Sequence, residues 1–291
     1  MTVTKQAPQQ TPEEDDRPVI LITGSSSGIG LDSARFFHQK GWHVIATCRK
    51  PKDVERMRAE GMTSFVLDYE DQASLDAVIP TLKTLTNGRI DVLFNNGAYG
   101  IPALVEDLPT PALRQIFEAN FFGWHELTRQ ILPLMHAQGK GRIIQNSSVL
   151  GFAAMRVRGA YNATKFALEG LTDTMRIELA NTNIHLILVE PGPIRTKIRE
   201  NAYLQFQKWI KWKDTKNKSF YEKVLIPRLS DPDPKKDLFE LMPDAVTRAV
   251  WHAATASRPR IRYRITKATK IMAAAKRLLS SRLMDRFAGK F

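Results

Sequence analysis

A short, fully apolar segment near the N-terminus runs directly into a glycine-rich turn. Residues 18–23 read PVILIT, and residues 24–30 read GSSSGIG. The apolar, β-branched run predicts a buried strand, and the spacing of apolar residues over 31–37 predicts a helix after the turn. In such a unit the backbone amides and the helix N-terminus can bind a pyrophosphate, because glycine lacks the Cβ atom that would block its approach. The segment therefore predicts a nucleotide site, with a glycine-rich hairpin as the alternative.

Segments of strand and helix character alternate along the rest of the chain. Further strands are predicted at residues 43–47, 64–67, 90–94, 141–146, 185–189 and 260–264, and long amphipathic helices at about 111–137 and 159–181. This alternation predicts an α/β fold, in which a doubly wound, mostly parallel seven-stranded sheet forms a single Rossmann-type domain. Ligands of such sheets bind beyond the carboxyl ends of the strands.

A tyrosine and a lysine, Tyr161 and Lys165, are predicted to lie side by side on the helix at 159–181, because positions i and i+4 share a face. A phenol has a pKa near ~10. An ammonium ~4 Å away is worth about 4 kcal/mol at an effective dielectric of ~20, which would lower the phenol pKa by roughly three units. Tyr161 is thus a candidate general acid and base, with the Ser148 hydroxyl beside it to hold a substrate oxygen.

These residues and several other motifs occur in the order and spacing of the short-chain dehydrogenase/reductases, which the chain resembles over about residues 18–265. The motifs that carry the resemblance are Thr23-Gly24-x-x-x-Gly28-x-Gly30, Asn95-Asn96-Gly97-Ala98, Asn120, Ser148, Tyr161-x-x-x-Lys165 and Pro191-Gly192-Pro193-Ile194-x-Thr196. In detail the chain is similar to the branch that contains hydroxysteroid dehydrogenases, retinol dehydrogenases and bacterial NADPH-dependent aldehyde reductases. It departs from the family in the order Gly97-Ala98 and in Thr164, where serine is commoner, but small residues are kept at both places.

The resemblance implies an oxidoreductase that transfers a hydride between a nicotinamide cofactor and a carbonyl carbon. It implies that Tyr161 donates the proton, that Ser148 positions the same oxygen, and that Lys165 lowers the Tyr161 pKa and binds the nicotinamide ribose. Asn120 would anchor a water that links Lys165 to solvent; the alternative is a buried polar residue that satisfies local backbone. Ser147 competes with Ser148, but the thirteen-residue offset to Tyr161, as in the family, favours Ser148.

Contacts to the cofactor are implied in the same way. Asp68 would bond the adenine amino group, or could instead be a helix N-cap. The Ile194 backbone would bond the carboxamide, and the Thr196 hydroxyl would lie near the carboxamide or the phosphates. The predicted cofactor-binding residues are Gly24, Ser26, Ser27, Gly28, Ile29, Gly30, Arg49, Asp68, Asn95, Tyr161, Lys165, Pro191, Gly192, Ile194 and Thr196.

The choice between the two nicotinamide cofactors is predicted from the end of the second strand. A carboxylate there would bond the ribose 2′-hydroxyl of NAD(H), whereas an arginine suits the 2′-phosphate of NADP(H). The sequence has Arg49 at this point and no acidic residue until Asp53. Because an arginine can hold a phosphate through two parallel hydrogen bonds, NADP(H) is expected over NAD(H). The alternative for Arg49 is a solvated basic turn.

The substrate is expected to be a hydrophobic aldehyde or ketone, or the corresponding alcohol. The segment 150–155 after Ser148 is apolar, as is part of the insertion 195–242 that would cover the site, and no cluster of arginines lies next to Ser148 in the sequence. The aromatic residues at 203–212 could equally be lid or core packing, and residues 213–240 are expected to form a mobile loop. The alternative function is an NADP(H)-binding redox sensor or regulator without turnover, which would not need Tyr161 and Lys165.

Composition agrees with one globular domain, since 43% of the residues are hydrophobic and no apolar run approaches the ~18 residues of a membrane span. Residues 1–17 are polar and acidic without the apolar core of a signal peptide, which predicts a disordered tail. The single Cys48 excludes an internal disulfide, and no cysteine and histidine cluster indicates a metal site. We therefore expect a cytoplasmic protein without a bound metal and, from the resemblance, a homo-oligomer.

The C-terminal extension, residues 266–291, is expected to be a basic amphipathic helix. Between Ser257 and Phe291 there are eleven basic residues and one acidic residue, Asp285. Apolar residues at helical spacing predict one stripe of Ile271, Met272, Ala275, Leu278, Leu279, Leu283, Met284 and Phe287. Such a helix could pack its stripe on the domain or on a dimer partner, or could lie on an anionic membrane surface. Nucleic-acid binding is not expected, because the sequence contains no recognition motif for it.

Overall fold

Seven strands form one sheet in the computed structural model, which describes residues 16–231 and 236–288. The strands are β1 (Val19–Ile22), β2 (His43–Cys48), β3 (Thr63–Val66), β4 (Val92–Asn95), β5 (Gly141–Asn146), β6 (Ile184–Glu190) and β7 (Arg262–Arg264). Their order across the sheet is β3-β2-β1-β4-β5-β6-β7, and every neighbouring pair is parallel. The predicted α/β fold with a doubly wound seven-stranded sheet is confirmed.

Helices connect the strands and cover both faces of the sheet. The α-helices are α1 (Gly28–Gln39), α2 (Pro51–Ala59), α3 (Gln72–Asp76), α4 (Val78–Thr86), α5 (Thr110–Phe117), α6 (Gly123–Gln138), α7 (Gly159–Glu178), α8 (Ile198–Trp209), α9 (Lys218–Phe220), α10 (Ile226–Ser230), α11 (Asp244–Thr255), α12 (Lys267–Leu278) and α13 (Ser281–Ala288). A π-helical turn over Glu118–Phe122 joins α5 to α6, so the predicted helix at about 111–137 contains a wider turn near its middle. The predicted helix at 159–181 is α7.

Alternate residues of the central strands point to opposite faces of the sheet, and both faces are buried. In β1, Ile20 and Ile22 pack in one apolar cluster with Val246 of α11. Val19 and Leu21 belong to a second cluster, which includes residues of α4, α6 and α7. Burial on both faces explains why β1 is apolar at every position instead of alternating with polar residues.

The strand order reverses next to β1, and the predicted site residues gather at this point. The chain passes from β1 to β2 and β3, and then returns to form β4 on the other side of β1. In open parallel sheets such a reversal leaves a crevice beyond the carboxyl ends of the strands. Gly24 follows β1, Asn96 follows β4, Ser148 follows β5 after one residue, and Pro191 follows β6 directly.

The prediction of a mobile loop at residues 213–240 is wrong for much of its length. This segment contains α9, a π-helical turn over Tyr221–Leu225, and α10. Tyr221, Leu225 and Leu229 lie four residues apart and are all buried, and the Tyr221 hydroxyl donates a hydrogen bond to Asp107 at 2.7 Å. The charged residues between these apolar positions, Glu222, Lys223 and Arg228, obscured the helical spacing. Residues 232–235 of the predicted loop lie outside the described residues.

The C-terminal extension does not carry a single apolar stripe, because α12 ends at Leu278 and α13 begins at Ser281. One set of residues packs on the segment after Ser148, around Phe152 and Ala153, and consists of Met272, Ala275, Leu279, Met284 and Phe287. A second set is exposed by 47%, 83% and 48%, and consists of Ile271, Leu278 and Leu283. Packing on the domain, one of the alternatives that the sequence left open, thus accounts for part of the stripe only.

Two sequence-based expectations concern the termini and the membrane. Residues 1–15 of the tail that we predicted to be disordered lie outside the described residues, as do residues 289–291. Within the described ranges, no helix is both long enough and apolar enough to cross a membrane.

Candidate active site

Ser148 and Tyr161 come together beyond the carboxyl end of β5. Ser148 has an extended backbone, and its Oγ accepts a hydrogen bond from the Leu150 amide at 3.1 Å. This bond fixes the serine side chain at the start of the short 3₁₀ turn Val149–Gly151. Tyr161 lies in the first turn of α7, and hydrogen bonding with Ser148 acts to lower the pKa of its phenol. The two predicted catalytic hydroxyls are therefore neighbours.

The pKa of Tyr161 is raised to about 12, the opposite of the shift that we predicted. Burial of the phenol disfavours its charged form more strongly than Ser148 and Arg158 favour it. The Lys165 Nζ lies 5.6 Å from the centre of the Tyr161 ring. A phenol with this pKa is protonated at neutral pH. It can therefore act as a proton donor more readily than as a base.

Lys165 is completely buried, which is rare for a lysine. Its Nζ donates a hydrogen bond to the carbonyl oxygen of Asn146 at 2.8 Å. The same nitrogen lies 4.0 Å from the centre of the Trp124 ring, within the range of a cation–π interaction. Desolvation lowers the pKa of Lys165 to about 7. The lysine is thus held at the end of β5 with a charge that depends on pH near neutrality.

Glu169, which the sequence analysis did not single out, continues the row formed by Tyr161 and Lys165 along α7. It is four residues beyond Lys165, and only 8% of its surface is exposed. Burial raises the pKa of Glu169 to about 7, and its negative charge acts to raise the pKa of Lys165. Its carboxylate accepts a hydrogen bond from Arg262 of β7 at 3.3 Å. The i, i+4, i+8 spacing was the signal that could have identified this residue.

Ser147 lies against Glu169. It is buried, and its hydroxyl acts to lower the pKa of Glu169. A Cβ atom on Gly151 would lie 2.6 Å from the Ser147 Oγ, so the serine is tightly enclosed. This environment agrees with a packing role for Ser147 and leaves Ser148 as the serine beside Tyr161.

Asn120 occupies the π-helical turn between α5 and α6 and is fully buried. Its Oδ1 accepts a hydrogen bond from the Tyr99 amide at 3.1 Å, and its Nδ2 donates to the Tyr99 carbonyl at 2.8 Å. The same Nδ2 lies 3.5 Å from the Thr164 hydroxyl, next to Lys165 on α7. The Asn120 side chain therefore connects the segment that follows β4 to α7. π-helical turns of this kind are frequent at functional sites.

The glycine turn after β1 can fit a pyrophosphate. Gly24 and Gly28 have positive φ angles of 64° and 56°, which favour glycine. A Cβ on Gly24 would lie 2.5 Å from the Gly97 Cα, and one on Gly30 would clash with the Gly24 carbonyl. The N-terminus of α1 has no side-chain cap, since Ser27 is extended and makes no capping bond. Uncapped amides beside a surface without Cβ atoms are the features that bind phosphate groups.

The remaining serines and the isoleucine of the turn have distinct environments. The Ser26 carbonyl accepts a hydrogen bond from Arg56 of α2 at 2.6 Å, so this arginine, which the sequence analysis missed, holds the turn in place. Ile29 packs against the apolar cluster between the sheet and α1. Of the predicted turn residues, Ser26 and Ile29 thus have structural contacts of their own in addition to any contact with a cofactor.

Thr23 connects the glycine turn to the segment after β4, a role that the sequence analysis missed. Its Oγ1 accepts hydrogen bonds from the Asn96 amide at 2.8 Å and from the Tyr69 hydroxyl at 2.8 Å. Asn95, a predicted cofactor residue, is fully buried, and its amide group bonds with Tyr69 and with Thr128. The Asn95 side chain is therefore buried under the crevice, where it holds Tyr69 and Thr128 in place.

Arg49 and Asp68 lie at the ends of β2 and β3, on the same side of the crevice. Arg49 is exposed, and within the described ranges its side chain forms no ion pair. Asp68 accepts a hydrogen bond from the Glu70 amide at 3.1 Å, whereas the N-cap of α3 is Asp71. The alternative interpretation of Asp68 as the cap of the following helix is therefore wrong.

The segment 191–196 after β6 closes the other side of the crevice. The Leu241 amide donates to the Pro193 carbonyl at 3.1 Å, and the Arg195 amide donates to the Leu241 carbonyl at 2.9 Å. In a parallel bridge of this kind the peptide groups of Ile194 itself face away from Leu241, which leaves them available to a ligand. The Thr196 methyl group would lie 3.0 Å from a Cβ on Gly28, so this segment meets the glycine turn.

Gly192 is a point of contact between this segment and the C-terminal extension. A Cβ atom there would clash with the hydroxyl groups of Thr266 and Thr269 at the start of α12. Thr266 caps α12 by accepting a hydrogen bond from the Thr269 amide at 3.2 Å. The predicted boundary between the catalytic domain and the C-terminal extension, at residue 266, thus lies directly against the predicted cofactor-binding segment 191–196.

Comparisons with known proteins agree with this arrangement. The sequence matches the family model described as short chain dehydrogenase over residues 18–206. It is 39% identical over 268 residues to the uncharacterized oxidoreductase YbbO of Escherichia coli (strain K12), which covers 92% of each chain. It is 29% identical to the NADPH-dependent 3-dehydrocapnine reductase of Ornithobacterium rhinotracheale, over 91% of this chain and 94% of that protein. A short-chain dehydrogenase from Streptomyces avermitilis matches the fold with a TM-score of 0.76 at 28% identity, over 94% of this chain and 96% of that one.

Proposed function

Because this chain belongs to the short chain dehydrogenase family, we propose that it is an NADP(H)-dependent reductase of hydrophobic aldehydes or ketones. Membership makes the chain an oxidoreductase of that family; the cofactor preference and the substrate are our proposal. The observation that carries the proposal is the row of Ser148, Tyr161 and Lys165 beside a glycine turn with uncapped helix amides.

The protein residues have separate roles in the proposed reaction. Bound NADPH supplies the hydride, and the glycine turn, Arg49 and the segment 191–196 would hold this cofactor. The Ser148 hydroxyl bonds the carbonyl oxygen of the substrate and holds it beside Tyr161. As negative charge develops on that oxygen, Tyr161 donates its proton to it. The raised pKa of Tyr161 ensures that the phenol carries this proton at neutral pH.

Lys165 and Asn120 assist the proton transfer from Tyr161 without contacting the substrate oxygen themselves. A protonated Lys165 compensates the charge left on Tyr161 after proton transfer, and its ammonium can bond the ribose hydroxyls of the cofactor. The Asn120 side chain is held by the Tyr99 backbone and lies 3.5 Å from the Thr164 hydroxyl, next to Lys165 in sequence. This position supports the proposal that protons pass between Lys165 and the π-helical turn. The pKa of about 7 of Lys165 allows this residue to lose and regain a proton near neutral pH.

The apolar residues of the lid support the proposal of a hydrophobic substrate. Tyr161 packs in a cluster with Phe206, Ile210, Tyr221 and Leu225 of the insertion 195–242. Phe206 and Tyr221 are almost completely buried, so these aromatic residues form the lid's own core. The side chains that remain partly exposed in the same cluster, including Tyr203 and Trp209, are the candidates for substrate contact.

Consumption of NADPH, with NADH in parallel, over a panel of medium-chain aldehydes, aromatic ketones, retinal and ketosteroids tests the proposal. Turnover with NADPH on at least one apolar carbonyl is the expected result. Tight NADPH binding without turnover on any compound would instead favour the redox sensor, the alternative function of the sequence analysis. A clear preference for NADH would contradict the assignment of Arg49.

Arg49→Asp is expected to reverse the cofactor preference. A charge-assisted hydrogen bond is worth about 1.5–3 kcal/mol, so loss of Arg49 should lower kcat/KM for NADPH by roughly ten- to a hundredfold. The introduced carboxylate repels the 2′-phosphate and can bond the free 2′-hydroxyl of NADH. Steady-state kinetics with both cofactors measure this. Lys52→Asp, at an exposed position of α2, is the matched control; an equal loss in both variants would contradict a specific contact by Arg49.

Glu169→Gln is expected to move the alkaline limb of the pH profile of kcat/KM for reduction to lower pH. Burial lowers the pKa of Lys165 to about 7, and the charge of Glu169 opposes this shift. Without that charge the pKa of Lys165 falls further, so the ammonium is lost at a lower pH. Because the pKa of Glu169 is itself raised to about 7, the two profiles should coincide in acid and diverge above neutrality.

Glu178→Gln is the control for this profile, since Glu178 ends the same helix and is exposed. Its profile should match that of the unchanged protein. Coincidence of the Glu169→Gln profile with both of them at every pH would show that Glu169 does not act on Lys165.

The outward side of the C-terminal extension supports peripheral contact with an anionic membrane. Ile271, Leu278 and Leu283 are exposed there. Beside them, a cleft of about 480 Å³ is lined by Arg260, Ile261, Arg262, Arg264, Lys270 and Arg277. Arg262 and Arg264 are paired with carboxylates of α7 and β6, which leaves Arg260, Lys270 and Arg277 as the basic residues of this cleft for contact with anionic lipid. The remaining expectations, a homo-oligomer and a cytoplasmic location, stay predictions.

Leu278→Ser combined with Leu283→Ser is expected to reduce co-flotation of the protein with phosphatidylglycerol vesicles several-fold. The two leucines are 83% and 48% exposed, so their replacement removes apolar contact with lipid and little internal packing. Leu204→Ser, at a leucine that is 62% exposed on α8, is the control. Equal flotation of all three proteins, or a change in oligomeric state by light scattering with no vesicle binding, would favour a protein partner for this surface.

A further inference from the structure

Arg158 is an unpaired cation next to the catalytic tyrosine. It occupies the N-cap position of α7, three residues before Tyr161, and is partly buried. Within residues 16–231 and 236–288, its guanidinium group forms no hydrogen bond and no ion pair. Its positive charge nevertheless acts on Tyr161, since it lowers the pKa of that phenol. Arg158 also precedes the reacting tyrosine by about one helical turn, at the start of α7.

The other arginines near Arg158 already have a carboxylate partner. Arg199 of α8 and Arg228 of α10 both pair with Asp237, at 3.1 Å and 3.6 Å. All three of these residues interact electrostatically with Arg158. Among the described residues, Arg199 and Arg228 thus share one aspartate, and Arg158 adds a third positive charge that interacts with them. These arginines form no cluster in the sequence near Ser148, because Arg158, Arg199 and Arg228 are separated by up to seventy positions along the chain.

The surroundings make an unpaired charge costly. Val157 and Tyr161, on either side of Arg158 in sequence, belong to the apolar cluster beneath the lid. Burial is the main cause that lowers the pKa of Arg158 to about 10. The N-terminus of α7 adds to the cost, because the helix dipole disfavours a cation there and no acidic residue lies in the first turn. A buried charge in such a position normally has a partner of opposite sign.

We propose that the substrate supplies this partner: the carbonyl compound reduced at Tyr161 carries an anionic group that pairs with Arg158. This proposal rests on the reductase function proposed above and specifies its substrate class. The apolar lid cluster accommodates the hydrocarbon part, and Arg158 binds the charged end through a bidentate contact with a carboxylate or a similar oxyanion. Because Arg158 and Tyr161 are one helical turn apart, only a few bonds separate the charged group from the reacting carbonyl.

A pair of probes that differ only in charge tests the proposal. A medium-chain 4-oxo acid and its methyl ester are compared as substrates by NADPH consumption. The unchanged protein should reduce the acid with the higher kcat/KM. In Arg158→Met the ratio of acid to ester should fall roughly ten- to a hundredfold, mainly through KM for the acid, whereas Arg158→Lys should keep part of the preference.

Arg156→Met is the matched control, because Arg156 is exposed and its guanidinium stacks on the Phe220 ring at 4.4 Å. Its ratio of acid to ester should equal that of the unchanged protein. A ratio near one in the unchanged protein, or a ratio that survives in Arg158→Met, would overturn the proposal while leaving the reductase function intact. Failure to reduce either probe or any compound of the carbonyl panel would overturn both. Thermal melting of each variant separates loss of binding from loss of folding.

Discussion

Tyr161→Phe is expected to lower kcat for carbonyl reduction by about 10²–10⁴, the usual contribution of a positioned proton donor. The change removes one oxygen and leaves the ring in its apolar cluster. In the unchanged protein burial raises the pKa of Tyr161 to about 12, so the phenol is protonated at neutral pH and, in the proposed reaction, is the group that donates to the substrate oxygen. The Ser148 hydroxyl remains in the variant, but it already accepts a hydrogen bond from the Leu150 amide, and an aliphatic hydroxyl is a weaker proton donor than a phenol. Steady-state kinetics with NADPH and the best carbonyl substrate measure the loss.

Affinity for NADPH should change much less than kcat in Tyr161→Phe, since the substitution leaves the glycine turn, Arg49 and the segment 191–196 intact and removes only one hydroxyl from the predicted cofactor-binding residues. Fluorescence titration of NADPH checks this. Tyr203→Phe, which removes a hydroxyl from a partly buried lid tyrosine, is the matched control and should retain most turnover. Retention of turnover in Tyr161→Phe would exclude this tyrosine as the proton donor, and an equal loss in Tyr203→Phe would indicate a general effect on the lid.

The positions of the main motifs could be predicted because they depend on short sequence separations. The short, β-branched apolar run before Gly24 favours a buried strand, and the positive φ angles at Gly24 and Gly28 favour the residue type that is found there. Parallel strands place all their carboxyl ends at one edge, so the motifs after β1, β4, β5 and β6 must meet. The fold and the gathering of Ser148, Tyr161 and Lys165 follow from these local rules.

What could not be predicted depends on burial and on contacts between distant residues. We inferred a lowered pKa for Tyr161 from its spacing to Lys165, but desolvation of both groups decides their pKa values and cannot be read from spacing. Arg158 gains its significance only when the lid brings Arg199, Arg228 and Asp237 beside it. The apolar residues of the lid and of the extension were visible in the sequence, but which of them face inward was set by packing.

Trp124 is the clearest residue whose role depends on burial and on contacts between distant parts of the chain. Trp124→Ala is expected to lower the free energy of unfolding by about 3–5 kcal/mol. The side chain is completely buried in the cluster between the sheet, α6 and α7. Its Nε1 donates a hydrogen bond to the Gly97 carbonyl at 2.9 Å, and its ring lies 4.0 Å from the Lys165 Nζ. Truncation would therefore leave a cavity, an unpaired carbonyl and a buried ammonium without its aromatic neighbour. Urea denaturation measures the change in the free energy of unfolding.

Two comparisons separate these contributions. Trp124→Phe keeps an aromatic face beneath Lys165 but cannot donate to Gly97, so it should cost less than the alanine variant and retain more turnover. Trp212→Ala, at the partly exposed tryptophan of the lid, should cost clearly less in unfolding free energy, because a smaller part of that side chain is buried. Equal destabilisation by Trp124→Ala and Trp212→Ala would mean that the lid, and not the contact between Trp124 and Lys165, limits the stability of the site.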